Sequence, residues 1–219
     1  MRSNSTPAAS ALTAALLSAT LCLYAQSPES PPAREIQGIP PRAAPSDYQF
    51  KAQAGDFTLA AEFLGHSIPT NQGTLTTEDY VVVEAALFGP PNSHTTLSPG
   101  DFSLRINKKK TPLTGEPYAM VFKSLKDPEW GPTASEKAKS KTSLGGGGAG
   151  DPPPTPPKMP FNLRRAMEQR VQKVAMAEGD RPLPQAGLLF FPYRGKEDHI
   201  QSVELDYNGA GGKTTLVLQ

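Results

Sequence analysis

The run Tyr80-Val81-Val82-Val83-Glu84-Ala85-Ala86-Leu87-Phe88 constrains the fold more than any other stretch of the chain. Branching at Cβ restricts side-chain rotation and favours extended backbone, so a β-branched, almost continuously apolar run of this length reads as a central strand. Other segments alternate. Asp56–Phe63 has apolar residues at 57, 59, 61 and 63, Phe102–Ile106 alternates throughout, and Ile200–Tyr207 alternates through its second half. A period of two puts one set of side chains on a core face and the other on the opposite face. Gly187–Phe191, stopped by Pro192, and Thr214–Leu218, after the glycine turn Asn208–Gly212, supply two more strands. Tyr118–Phe122 is expected to be a further strand or a bent edge. Gly, Pro, Asn or Asp bounds each run, as turns between short strands require. The prediction is therefore all-β with one accessory helix: an antiparallel β-sandwich forming a single domain over 47–219.

The accessory helix lies in an insert, 128–182, that interrupts the sandwich. Residues 131–160 are rich in lysine, then hold Gly145–Gly148, Pro152–Pro154 and Pro156-Pro157. That composition offers no apolar core and predicts disorder. A helix over about 161–177 follows, with Leu163, Met167, Val171 and Val174 recurring at helical spacing. Arg164, Arg165, Glu168, Gln169, Gln172 and Lys173 are expected to face away from that stripe. Pro160 is tolerated near the first turn and Gly179 is the expected stop.

Residues 1–25 carry the pattern of a secretory signal: Arg2, an uncharged stretch from Ala8 to Tyr24 centred on Ala14-Ala15-Leu16-Leu17, and a small residue, Ala25, at the expected cleavage point. The reading is export to the periplasm or the medium, preferred over an uncleaved anchor because polar residues interrupt the stretch. It is preferred over a lipoprotein because Leu21 stands where a small residue should precede Cys22. Cys22 is the chain's one cysteine, so about 194 residues after cleavage would hold together with no disulfide and no thiolate chemistry. Residues 26–46, with Pro28, Pro31, Pro32, Pro40 and Pro41, read as a Pro-rich linker, with order beginning near Asp47. No integral membrane span is expected after cleavage.

Formal net charge is only +1, which argues against a general nucleic-acid binder, but the charge is segregated. Residues 44–107 carry 2 basic and 7 acidic side chains, whereas residues 108–173 carry 13 basic and 6 acidic. No catalytic constellation accompanies this asymmetry. His66, His94 and His199 are far apart and outside any metal-ligand spacing, so no metal or cofactor is expected. Gly212-Lys213-Thr214 lacks the earlier glycine and the following helix of a phosphate-binding loop. Glu78-Asp79 and Glu197-Asp198 are sequence neighbours, which point different ways from a strand end and do not make a facing acid–base pair.

Gln185-Ala186-Gly187-Leu188-Leu189-Phe190-Phe191-Pro192 resembles the penultimate region of small exported bacterial immunoglobulin-like (telokin-like) domains, and Tyr80–Phe88 followed by Leu97–Leu104 resembles their long central strand and its sequel. The likeness covers 56–106 and 185–218, implies the sandwich fold, and brings no catalytic residue with it. The 128–182 excursion departs from it. The functional expectation is a non-catalytic binding module whose partner is a protein or an anionic envelope component. Its candidate contacts are Arg164, Arg165, Arg170 and Lys173 on the outer helix face, with Trp130 and Tyr193. Two alternatives stand beside it: a carbohydrate-binding or hydrolytic protein using Trp130, Tyr193 and His199 in sandwich loops, and a structural envelope-assembly subunit.

Overall fold

A computed structural model describes residues 38–128 and 159–219. The expected signal peptide, most of the linker, Trp130 and nearly all of the 131–160 stretch lie outside the described residues. The strands are β1 (Phe50–Ala54), β2 (Phe57–Phe63), β3 (Ser67–Thr70), β4 (Gly73–Thr77), β5 (Tyr80–Phe88), β6 (His94–Leu97), β7 (Phe102–Ile106), β8 (Leu113–Thr114), β9 (Leu125–Lys126), β10 (Gly179–Pro182), β11 (Gln185–Pro192), β12 (Val203–Gly209) and β13 (Gly212–Val217). One α-helix is described, α1 (Phe161–Val174), and it enters between β9 and β10. Among the described residues two four-stranded antiparallel sheets, ordered β1-β2-β5-β11 and β13-β12-β7-β8, form the sandwich. A small β3-β4-β9 sheet and a β6–β10 pair complete the strands.

The composition of β5 follows from its surroundings. Val81, Val83, Ala85 and Leu87 pack against Phe102, Leu104, Val203, Leu205 and Tyr207 of the second sheet, forming the main core. The other face is covered too. Tyr80, Val82, Leu188 and Phe190 meet Ile68, Leu75, Val121, Met167 and Val171, which come from β3, β4, a 3-10 turn and α1. Farther along the same face Tyr48 closes over Ala60, Ala86 and Ala186. A strand buried on both faces has no solvent side to alternate toward, so it reads as a continuous apolar run. The described residues thus form three layers, with the β1-β2-β5-β11 sheet in the middle.

An unpaired edge strand carrying two phenylalanines would be a template for aggregation. Three non-strand segments seal β11 instead. The carbonyls of Ala186, Leu188 and Phe190 accept from the amides of Ile39 (3.0 Å), Met176 (2.9 Å) and Glu116 (2.9 Å) in turn. Glycine makes the middle seal possible, because a Cβ on Gly187 would stand 2.4 Å from Met176 Cα.

Four expectations are corrected. Tyr118–Ser124 is a 3-10 helical stretch and not a strand; Pro117 leads into it, and Val121 is buried while Tyr118 and Phe122 pack beside it. The α-helix ends at Val174 rather than near 177, because Ala175 turns to extended backbone and Met176 bonds to the edge of β11, an alternative that outweighs the helix propensity of Ala-Met-Ala. Gly179 starts β10 and does not stop the helix. The segment expected to remain linker as far as residue 46 is attached from Gly38 onward: Gly38 donates to the Lys173 carbonyl (3.0 Å), Ile39 bonds β11, and Pro45–Asp47 forms a 3-10 turn.

Candidate functional site

The sequence-predicted contacts separate on the folded chain. Arg164 is exposed, 3.8 Å from Glu168 one turn on, with its guanidinium 5.6 Å from the Phe161 ring centre. Arg165 and Lys173 are exposed on the same helix. Arg170 is not on the outer face. Its side chain is only 12% exposed and 3.5 Å from Asp127. It donates to Thr70 Oγ1 (3.1 Å) and to the carbonyls of Gln72 (2.8 Å) and Gly73 (3.1 Å). It fastens α1 to the β3–β4 turn, so it leaves the list of partner contacts. The physical reason is its long stem: from the flank of the apolar stripe the guanidinium reaches back over the neighbouring hairpin.

Tyr193 lies elsewhere, in a groove at the end of the sandwich where β5 begins and β11 ends. Pro192 pairs with Tyr80 in register, and the Tyr193 amide donates to the Asp79 carbonyl at 2.8 Å. The groove has a volume of about 570 Å³ and is lined by Tyr80, Ala119, Met120, Pro192 and Tyr193 together with Asp79, Lys109, Lys123 and Arg194. Four chain reversals contribute: the β4–β5 turn, the β7–β8 turn, the 3-10 stretch and the segment after β11. A second hollow of about 540 Å³ shares Asp79 and Arg194 and extends past His66, Glu78, Lys126 and Lys196.

The groove is apolar at its base and cationic around it. Tyr80 is buried and Tyr193 half-buried, whereas Met120 is 53% exposed. Arg194 Nε lies 3.0 Å from Asp79, and Lys126 contacts Glu78. Lys109, Lys123 and Lys196 are exposed and make no side-chain ion pair with any described residue. The Tyr80 hydroxyl donates to Glu116 at 2.8 Å, and burial, reinforced by that carboxylate, pushes it up to about 12. It therefore stays a neutral donor at physiological pH, unsuited to act as a base or nucleophile. The His66 ring is wedged between backbone acceptors, Nδ1 2.6 Å from the Tyr80 carbonyl and Nε2 3.0 Å from the Gly195 carbonyl. Both nitrogens face backbone carbonyls, only one of which a neutral ring can donate to, and the ring lies against Tyr193 with centres 6.2 Å apart. His66 thus braces the groove wall. His199 is exposed outside the groove lining, and its carbonyl accepts from Asn107.

A second electrostatic cluster lies on the outer face of the middle sheet. Glu62 and Glu84 are direct cross-strand partners, an unfavourable placement for two carboxylates. Arg42 resolves it, donating to Glu62 at 2.5 and 2.8 Å, approaching Glu84 at 3.4 Å, and stacking 4.3 Å above the Tyr48 ring. The hydrogen bond from Arg42 holds the Glu62 carboxyl below the ordinary range, while burial pushes Glu84 above it. Every group in this cluster is satisfied by another, and it binds the 38–48 segment to the sheet rather than offering a site.

Among the described residues no three His, Cys, Asp or Glu side chains converge as metal ligands, and no helix is long and apolar enough to cross a membrane. Comparison of the chain with protein-family models, with curated proteins and with solved structures finds no match.

Sequence reading reached Tyr193 and missed Lys109, Met120, Lys123, Arg194 and Lys196. The available signal was local: the Lys108–Lys110 turn and the Tyr193–Lys196 segment are each basic and each follow the end of a core strand.

Proposed function

We propose that the chain is an exported, non-catalytic binding module of the immunoglobulin-like (telokin-like) kind that its strand motifs resemble, and that it holds a negatively charged partner in the groove at the β5/β11 end. The observation that carries this reading is the combination of an exposed Met120 and a half-buried Tyr193 with three lysines, 109, 123 and 196, that pair with no acidic side chain among the described residues. Unneutralised cations beside an apolar surface attract an anion over a distance and then give it something to bury against. The groove's titratable groups support binding over catalysis, since Tyr80 keeps its proton and Asp79 is engaged by Arg194. Export itself rests on the signal pattern of residues 1–25.

The test is a comparison of two charge reversals by calorimetry against polyglutamate, anionic phospholipid vesicles and oligogalacturonate. One protein carries Lys109→Glu, Lys123→Glu and Lys196→Glu; the other carries Arg164→Glu, Arg165→Glu and Lys173→Glu. Loss of binding to any of these probes in the first protein alone supports the groove. Loss in the second alone returns the site to the outer face of α1. If neither reversal alters binding to a probe, anion recognition is not the function.

A further inference from the structure

Resting on the groove reading, we infer that the ligand is an extended acidic peptide segment carrying one large apolar side chain between its carboxylates. The dimensions argue for a chain. The two hollows, about 570 and 540 Å³, share Asp79 and Arg194 in their linings and so adjoin, which we read as one trough with that charged pair as its waist. Each is the size of a small-ligand pocket, and the pair in line suits several residues of extended backbone rising about 3.3 Å apiece.

The distribution of chemistry along the trough argues for the sequence of that chain. One end has the apolar seat made by Met120, Pro192 and Tyr193, beside Lys109 and Lys123. The other end has Lys196 and the Lys126–Glu78 pair. At the waist the Arg194 side chain is 83% exposed, with Nε 3.0 Å from Asp79 and most of its guanidinium open to solvent. A guanidinium held in this way matches a carboxylate bidentately, and an ammonium on each side matches a further carboxylate. The apolar seat takes the side chain between them. Methionine adapts to irregular side chains, and tyrosine, methionine and arginine are the residues enriched where protein surfaces are recognised.

The same observations disfavour other anions. A lipid drawn singly out of its bilayer would need an enclosed channel for its acyl chain, whereas the seat is open and exposes half of Met120. A uronic acid polymer or a single-stranded nucleic acid stacks its rings on open aromatic faces, yet Tyr80 is buried and Tyr193 is half-buried with the His66 ring on one side of it.

The experiment is fluorescence anisotropy of the full chain with a fluorescein-labelled peptide, Glu-Asp-Phe-Glu-Glu. Controls are the same peptide with Gln and Asn for its acids, and with Ser for its Phe. Saturable binding is expected, weakened about three- to tenfold by either control change, by Lys123→Gln and by Met120→Ala, and unchanged by Arg164→Glu. Each protein change is on an exposed side chain, and thermal melts matching the parent establish folding. Equal binding of the three peptides overturns the inference. So does displacement of the labelled peptide by anionic vesicles or oligogalacturonate that themselves depend on Lys123, which leaves the groove as an anion site and changes its ligand class. If no anionic probe depends on Lys109, Lys123 or Lys196, the groove reading falls with it.

Discussion

At the scale of single residues, the Arg42 cluster gives the clearest link between charge and stability. Glu62 and Glu84 face each other across β2 and β5, with only 13% of the Glu84 side chain exposed, and Arg42 lies between them. Replacing Arg42 by Ala leaves two carboxylates facing each other on a half-covered sheet. Removing one partner of a fully buried pair costs about 3–5 kcal/mol; Arg42 is one-third exposed, so water screens the pair and the loss expected for Arg42→Ala is about 1–3 kcal/mol. The pH dependence has two opposing parts. Glu62, held low by Arg42, contributes stability that is present above the unfolded carboxylate value of about 4.3 and lost as pH falls through its folded value. Glu84, held high by burial, does the reverse: its ionised form opposes folding, an effect absent below about pH 4.3 that grows as pH rises through its folded value. Glu84→Gln is therefore expected to raise the denaturation midpoint at pH 7 relative to the parent, with the difference closing below about pH 4. Urea titrations at several pH values check this, and a Gln variant less stable than the parent at neutral pH would show that attraction to Arg42 outweighs the burial of the charge.

At the scale of elements, what could be read from sequence depended on how each element is buried. Phe57–Phe63, Phe102–Ile106 and Val203–Tyr207 have one face on a shared core, so their alternation was legible, and Tyr80–Phe88 was legible because burial on both faces leaves a continuous apolar run. Ser67–Thr70 was not legible, since it buries only Ile68 and contains Pro69, and it is a strand chiefly because β4 pairs with it beneath α1. The groove was hidden for a similar reason. Tyr193 stood out as an aromatic after a strand, whereas Lys109, Lys123 and Arg194 come from separate turns that only the folded sandwich gathers. The helix periodicity found the stripe of Met167 and Val171, but not the reach of Arg170 around its flank. Two predictions belong here. Arg170→Ala removes the fastening of α1 to the β3–β4 turn and is expected to cost about 1–3 kcal/mol, against less than about 0.5 for Arg164→Ala, both read from chemical melts. Gly187→Ala puts a Cβ against the Met176 backbone and is expected to cost about 1–3 kcal/mol, with the Met176 amide losing hydrogen-exchange protection ahead of the amides of β5. If Met176 stays as protected as its neighbours, the seal on β11 does not depend on that close approach.

At the scale of the whole molecule, the 38–48 segment determines whether the middle sheet is finished. Without it the β1-β2-β5-β11 sheet would carry an uncovered patch of Ala60, Ala86 and Ala186, the Glu62–Glu84 pair without its arginine, and an open Ala186 carbonyl on β11. Small alanines in that patch are explained by the cover: they leave room for the Tyr48 ring, which also packs edge-on to Phe88 at 6.0 Å. A chain beginning at Gln49 loses the cover, the charge neutralisation and one of the three edge seals together, because all three come from one short stretch. Its deficit relative to a chain beginning at Ile36 should therefore exceed the loss from Arg42→Ala alone, and be on the order of 3–6 kcal/mol. The exposed edge also changes the failure mode. Backbone groups at the start of β11 become free to pair with a second copy, so the shorter chain should associate at concentrations where the longer one does not. Thermal melts with light scattering on the two chains separate the contributions. A shorter chain that is less stable yet monomeric would assign the segment to covering the alanine patch. One that keeps the stability of the longer chain would mean that the sandwich core and the outer α1 layer hold the middle sheet without it.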